Sequence, residues 1–141
     1  MIFELFRVFI MFSKKKSPPI QTLIGEGTVF KGEICFAGGL RIDGEVIGDV
    51  IAANTDRNIL VISEKARVMG KVKAGHIIVS GEVTGPIHSD ELLELQPKAH
   101  VVGDVQYEAL EMHRGATIDG ELKPLKAIEK PSLKLAASNA A

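Results

Sequence analysis

The sequence predicts an all-β fold, a solenoid of about six coils with short disordered ends. Three observations carry this: a glycine unit that recurs six times, an apolar residue in fixed register ahead of every copy, and an aliphatic composition suited to strands. With 15 Ile and 12 Val against one Tyr and no Trp, and with four of its six Phe inside the first twelve residues, the body of the chain is β-branched and glycine-punctuated.

The unit, glycine then a polar then an aliphatic residue, reads Gly32-Glu33-Ile34, Gly48-Asp49-Val50, Gly70-Lys71-Val72, Gly85-Pro86-Ile87, Gly103-Asp104-Val105 and Gly120-Glu121-Leu122. Two places before these glycines stand Phe30, Val46, Val68, Val83, Val101 and Ile118. An alternating apolar pair opens most units: Leu40/Ile42, Leu60/Ile62, Ile77/Val79, Leu93/Leu95 and Leu110/Met112, with Thr22/Ile24 as a weaker first copy. Each unit therefore offers three short stretches of period two, separated by turns such as Gly38-Gly39, Asp43-Gly44 and Ser80-Gly81. A period of two inside a repeat of about 17 residues is what stacked three-cornered coils require, because every inward side chain needs a like-sized neighbour above and below. A sandwich of antiparallel hairpins, the competing sheet arrangement, imposes no such fixed offset. Residues Ala53 to Asn58 lengthen one interval and are expected to bulge from a corner as a loop.

Four segments follow: 1–16, a membrane-associating N-terminal segment; 17–21, a linker around Ser17-Pro18-Pro19; 22–125, the solenoid; and 126–141, a disordered tail. In the first, Phe3, Phe6, Phe9 and Phe12 recur every three residues and Lys14, Lys15 and Lys16 follow. Such a run is too short to span a bilayer as a helix and lacks the charge order of a secretory signal. It suits a segment lying in the membrane interface, with the phenylalanines among acyl chains and the lysines on anionic lipid headgroups. Translation from Met11 is an alternative start that keeps Phe12 and the lysines.

No long amphipathic segment caps either end of the solenoid, so both ends are expected to present unpaired strand edges and apolar core to other copies. The predicted polymerisation interface is Ile24, Phe30, Ile34 and Phe36 at one end and Leu110, Met112, Ile118, Leu122 and Leu125 at the other. Its product is a homopolymeric filament.

From Met11 to about Leu125 the chain resembles the bactofilins, a family of bacterial cytoskeletal proteins. The likeness is carried by Met11-Phe12-Ser13-Lys14-Lys15, Gly25-Glu26-Gly27-Thr28, the stretch from Phe36 to Gly44, and Gly103-Asp104-Val105. Arg41 and Asp43 make the Phe36–Gly44 stretch the most specific, since coil packing alone does not call for them. The resemblance implies a single-stranded right-handed β-helix that polymerises without nucleotide into non-polar filaments, held peripherally on the inner face of the cell membrane. It also implies a scaffold for cell shape, with cell-wall or morphogenetic proteins as clients. Filaments without polarity need contacts between like ends.

No catalytic residue, cofactor or metal is predicted, and the chain is read as a non-enzyme. A net charge of −1 gives no field to recruit nucleic acid, and no such partner is predicted. A single cysteine, Cys35, closes no intramolecular disulfide, which fits a reducing cytoplasm. A phosphate-cradling Gly-x-x-x-x-Gly-Lys-Ser/Thr motif is absent. His76, His88, His100 and His113 fall in different coils and read as surface residues, and Cys35 as an outward, inert thiol. Asp43, Asp49, Asp104 and Asp119 flank turn glycines and are expected to bond turn backbone. Two rival readings are a left-handed β-helix acyltransferase of the hexapeptide-repeat type, whose six-residue beat is broken across Glu64 to Gly70, and a membrane adaptor that does not polymerise.

Overall fold

A computed structural model describes residues 18–53 and 57–125, which form fifteen strands and no helix. The first coil is β1 (Ile20–Ile24), β2 (Val29–Lys31) and β3 (Ile34–Phe36); the second is β4 (Gly39–Ile42), β5 (Glu45–Ile47) and β6 (Val50–Ala52). The third is β7 (Ile59–Ile62), β8 (Arg67–Met69) and the first half of β9 (Val72–Val79). The second half of β9 opens the fourth coil, which continues through β10 (Glu82–Thr84) into β11 (Ile87–Leu95). The fifth runs from β11 through β12 (His100–Val102) into β13 (Val105–Met112), and the sixth ends with β14 (Thr117–Asp119) and β15 (Leu122–Pro124).

Every strand pair is parallel and joins one coil to the next. The result is a three-sided rod about 29 Å long for six coils at roughly 4.8 Å each. The registers turn the sequence repeat into columns of inward side chains. One runs Ile24, Ile42, Ile62, Val79, Leu95, Met112, and another Phe30, Val46, Val68, Val83, Val101, Ile118. The intervening members of both are essentially inaccessible to solvent. Each large aliphatic side chain so enclosed contributes roughly 1.5–3 kcal/mol, and these columns are the core.

A glycine column fixes the corner between the second and third faces. A Cβ placed on Gly48, Gly70, Gly85, Gly103 or Gly120 would run into the carbonyl of the glycine one coil below, and the first four of these have φ between +140° and +154°. The recurring glycine is therefore a contact between successive backbones as well as a turn. Asp49 and Asp104 brace the same corner from one coil to the next, accepting hydrogen bonds from the backbone N–H of Lys71 at 2.9 Å and of Glu121 at 3.0 Å. Above Lys71 the corresponding residue is Pro86, which has no N–H to offer, and no aspartate stands below it.

The third corner departs from the expectation of a turn in every coil. From β9 onward the last stretch of one coil and the first of the next fuse into strands of eight or nine residues, bent at a bulge between Ser89 and Leu92. Buried polar groups hold this bend: Asn58 Oδ1 accepts from Gly75 N–H at 2.6 Å, and the fully enclosed Ser89 Oγ donates to the Gly75 carbonyl at 2.8 Å. Asn58 thus ends the expected loop by docking into the rod, while residues 54–56 lie outside the described residues.

Candidate functional site

The site follows from what the two ends of the rod leave uncovered. Both sheets terminate on first-coil strands at one end and on sixth-coil strands at the other: β1 and β15 bound one sheet, β2 and β14 the second. Among the described residues, backbone groups on those outer edges have no further strand to pair with, which makes each end a template for a parallel or antiparallel neighbour.

Side chains tell the same story by exposure. Phe30 is 37% exposed although Val46, paired with it, is 0% exposed; Met112 is 44% exposed over the enclosed Leu95, and Leu122 48% over the enclosed Val105. Ile24, Ile34, Leu110 and Ile118 sit on their columns partly buried, and Leu125 is exposed beyond β15. Phe36 differs from the other predicted interface residues. It lies over the small Ala52 and joins the core cluster, leaving only 7% of its surface accessible. It instead walls an open hollow of about 480 Å³ at the N-terminal end, together with Thr22, Ile24, Phe30, Ile34 and Leu40. Two further apolar residues of this end, Leu23 and Val29, are exposed on the outer sides of β1 and β2. Column logic does not select them because their alternation phase points outward. The predicted membrane residues Phe3, Phe6, Phe9, Phe12, Lys14, Lys15 and Lys16, and the tail from residue 126, lie outside the described residues. Among the described residues no helix is long and apolar enough to cross a membrane.

Arg41 and Asp43, the pair that packing does not demand, form a polar clasp at the two-residue corner after β4. Asp43 Oδ1 accepts from Arg41 Nε at 2.8 Å and from Ser63 Oγ, one coil up, at 2.5 Å. These bonds, Ser63 first and Arg41 second, hold the Asp43 carboxyl below its ordinary value of 3.8. Asp43 therefore bonds side chains rather than turn backbone. The Asp104 carboxyl is lowered too, chiefly by the Glu121 N–H. A carboxylate whose folded pKa is depressed adds stability that is complete well above its unfolded value and is lost as the pH falls through the lowered one. The urea midpoint of the wild type should accordingly fall between about pH 6 and about pH 3, and Asp43→Asn should reduce that fall. An unchanged pH response in Asp43→Asn would remove the clasp from the list of stabilising contacts.

His88 and His100 lie on the third and second faces, while His76 and His113 both approach Glu94 on the first. His88 contacts Gln106 and Asp90 at 2.8 and 2.9 Å, His100 contacts Thr117 at 2.6 Å, and His76 lies 3.4 Å from Glu94. Cys35 is exposed, as its outward phase predicts.

Residues 22–123 match the family model described as "Bactofilin: Polymer-forming cytoskeletal". The chain belongs to the bactofilin family. Among curated bactofilins it is 26% identical over 111 residues to BacO of Myxococcus xanthus (strain DK1622), covering 79% of this chain and 85% of BacO. It is 27% identical over 101 residues to BacP of the same organism, covering 72% of this chain but only 40% of BacP. A cryo-EM reconstruction of Thermus thermophilus bactofilin double helical filaments matches with a TM-score of 0.66 and 28% identity, over 74% of this chain and 99% of that one. The parallel solenoid is thus the bactofilin fold, and the family is a structural, cytoskeletal one.

Proposed function

We propose that this bactofilin is a cytoskeletal scaffold that polymerises end to end into filaments without nucleotide, and that the filaments lie on the inner face of the cell membrane. The observation that carries the proposal is the exposure of core columns at both ends: side chains that are enclosed in every interior coil stand half open at Phe30, Met112 and Leu122. Stacking a second rod encloses them and adds strand-to-strand hydrogen bonds, each contributing about 1 kcal/mol. The Thermus thermophilus relative supports the polymer, since its filaments are the structure matched. Like-to-like contacts, and with them non-polar filaments, are taken from the family resemblance. They correspond to two alternating two-fold interfaces, one at the N-terminal ends and one at the C-terminal ends.

Membrane attachment is assigned to residues 1–16. Three lysines at an anionic surface contribute on the order of 1 kcal/mol each, so a single copy binds reversibly while a filament binds through many copies together. Purified full-length chain, free of nucleotide, should form filaments by negative-stain electron microscopy and sediment with anionic vesicles. Deletion of residues 1–16 should abolish the sedimentation with vesicles and keep the filaments. Discrete trimers without filaments would favour the acyltransferase reading, and undiminished vesicle binding by the deletion variant would place the membrane contact elsewhere.

A further inference from the structure

Charge along the rod is arranged by register. On the outer side of the second face, Glu45, Arg67, Glu82 and His100 follow one another in paired positions, acid alternating with base, and Arg67 Nε lies 3.1 Å from Glu82 Oε1. On the outer side of the first face this order breaks. Glu94 of β11 and Glu111 of β13 are paired directly, the only acid opposite an acid among the described strand pairs. Two stacked carboxylates repel each other, and among the described residues no lysine or arginine is ion-paired with either.

What stands beside them is imidazole. One oxygen from each carboxylate and a ring nitrogen of His113 lie within 4.8 Å of one another. Glu94, the partly buried member, is held from two sides: His76 Nε2 is 3.4 Å from its Oε1, and Gln96 Nε2 donates to its Oε2 at 3.3 Å. Outer contacts of this kind orient a metal-binding carboxylate before the ion arrives. Glu111 and His113 are exposed and free to turn toward it.

We propose that Glu94, Glu111 and His113 bind a divalent transition-metal cation of the zinc type, with water completing the shell. The donor set selects the ion. A nitrogen ligand with two carboxylates favours zinc and its neighbours over calcium or magnesium, which take all-oxygen shells. Metal–ligand bonds of about 2.0–2.2 Å bring tetrahedral donors to roughly 3.3 Å apart, a contraction that rotation of the two exposed side chains supplies. The bound cation neutralises the acid pair and ties the sixth coil to the fifth, next to the C-terminal end face. A scan for cysteine and histidine spacing does not find this group, because its ligands converge only through the Glu94–Glu111 register.

The test is equilibrium dialysis of the full-length chain against zinc chloride, with cobalt(II) absorption as a second readout of imidazole and carboxylate ligation. One saturable cation per chain is expected, together with a higher melting temperature in its presence. The double variant Glu111→Gln/His113→Asn should weaken binding at least about tenfold and lose the thermal shift. His100→Asn, which alters a surface histidine on another face, should leave both unchanged. Absence of saturable binding, or binding that the double variant retains at full strength, would overturn the site. Equilibrium dialysis reads the bound cation whether or not filaments form.

Discussion

Leu122→Arg should leave the solenoid folded and stop it from polymerising. Leu122 ends the column that runs through Ile34, Val50, Val72, Ile87 and Val105, and it is nearly half exposed before any neighbour arrives. A guanidinium there remains hydrated in the single subunit, so circular dichroism and the melting transition should change little. In an end-to-end contact the same group is stripped of water, a cost of about 3–5 kcal/mol per contact. Each 1.4 kcal/mol is a factor of ten, so the concentration needed for filaments should rise by more than about 100-fold. Ile118→Arg should act in the same direction, since Ile118 ends the Phe30 column. Normal filaments from both variants at wild-type concentration would mean that the C-terminal end is not an assembly surface.

Gly85→Ala should produce the opposite pattern, a damaged coil rather than a blocked end. The new methyl group would meet the Gly70 carbonyl while the backbone holds φ at +144°. Positive φ costs an alanine roughly 1–2 kcal/mol, and forcing apart two tightly stacked backbones adds about 1–3 kcal/mol. Together these take a large share of the 5–15 kcal/mol typical of a whole domain, and the melting temperature should drop by on the order of 15 °C. Gly25→Ala is the matched control, because nothing lies within 4 Å of its added Cβ and its φ is not positive. A drop of equal size in both variants would show that the effect is not specific to the stacked corner.

The two variants mark what was legible in the sequence and what was not. The glycine at the second corner of each coil, the apolar residue two places ahead of it and the alternating pairs are one-dimensional traces of the columns, which is why the coil count and the core were readable. A repeat records which residues stack, and the last members of each column, Phe30, Met112, Ile118 and Leu122, follow directly as end-face residues. Phe36 shows the limit: its burial depends on the small Ala52 over which it lies, a volume relation between coils that periodicity does not carry. The fused strands β9, β11 and β13 were hidden for a related reason, since at the β9 bend the backbone of Gly75 is held by Asn58 and Ser89, partners distant in the sequence. Arg41 and Asp43 stood out in the sequence, but Ser63, the second donor to Asp43, lies twenty residues on and meets it only after the chain has wound once.

Stacking along the rod axis is tested most directly by diffraction from oriented filaments of the full-length chain. Strands that run across the filament, coil upon coil and subunit upon subunit, should give a meridional reflection near 4.8 Å, with a subunit length of about 29 Å along the axis. A 4.8 Å spacing on the equator would mean that the rods lie side by side across the filament, and would contradict assembly through their ends.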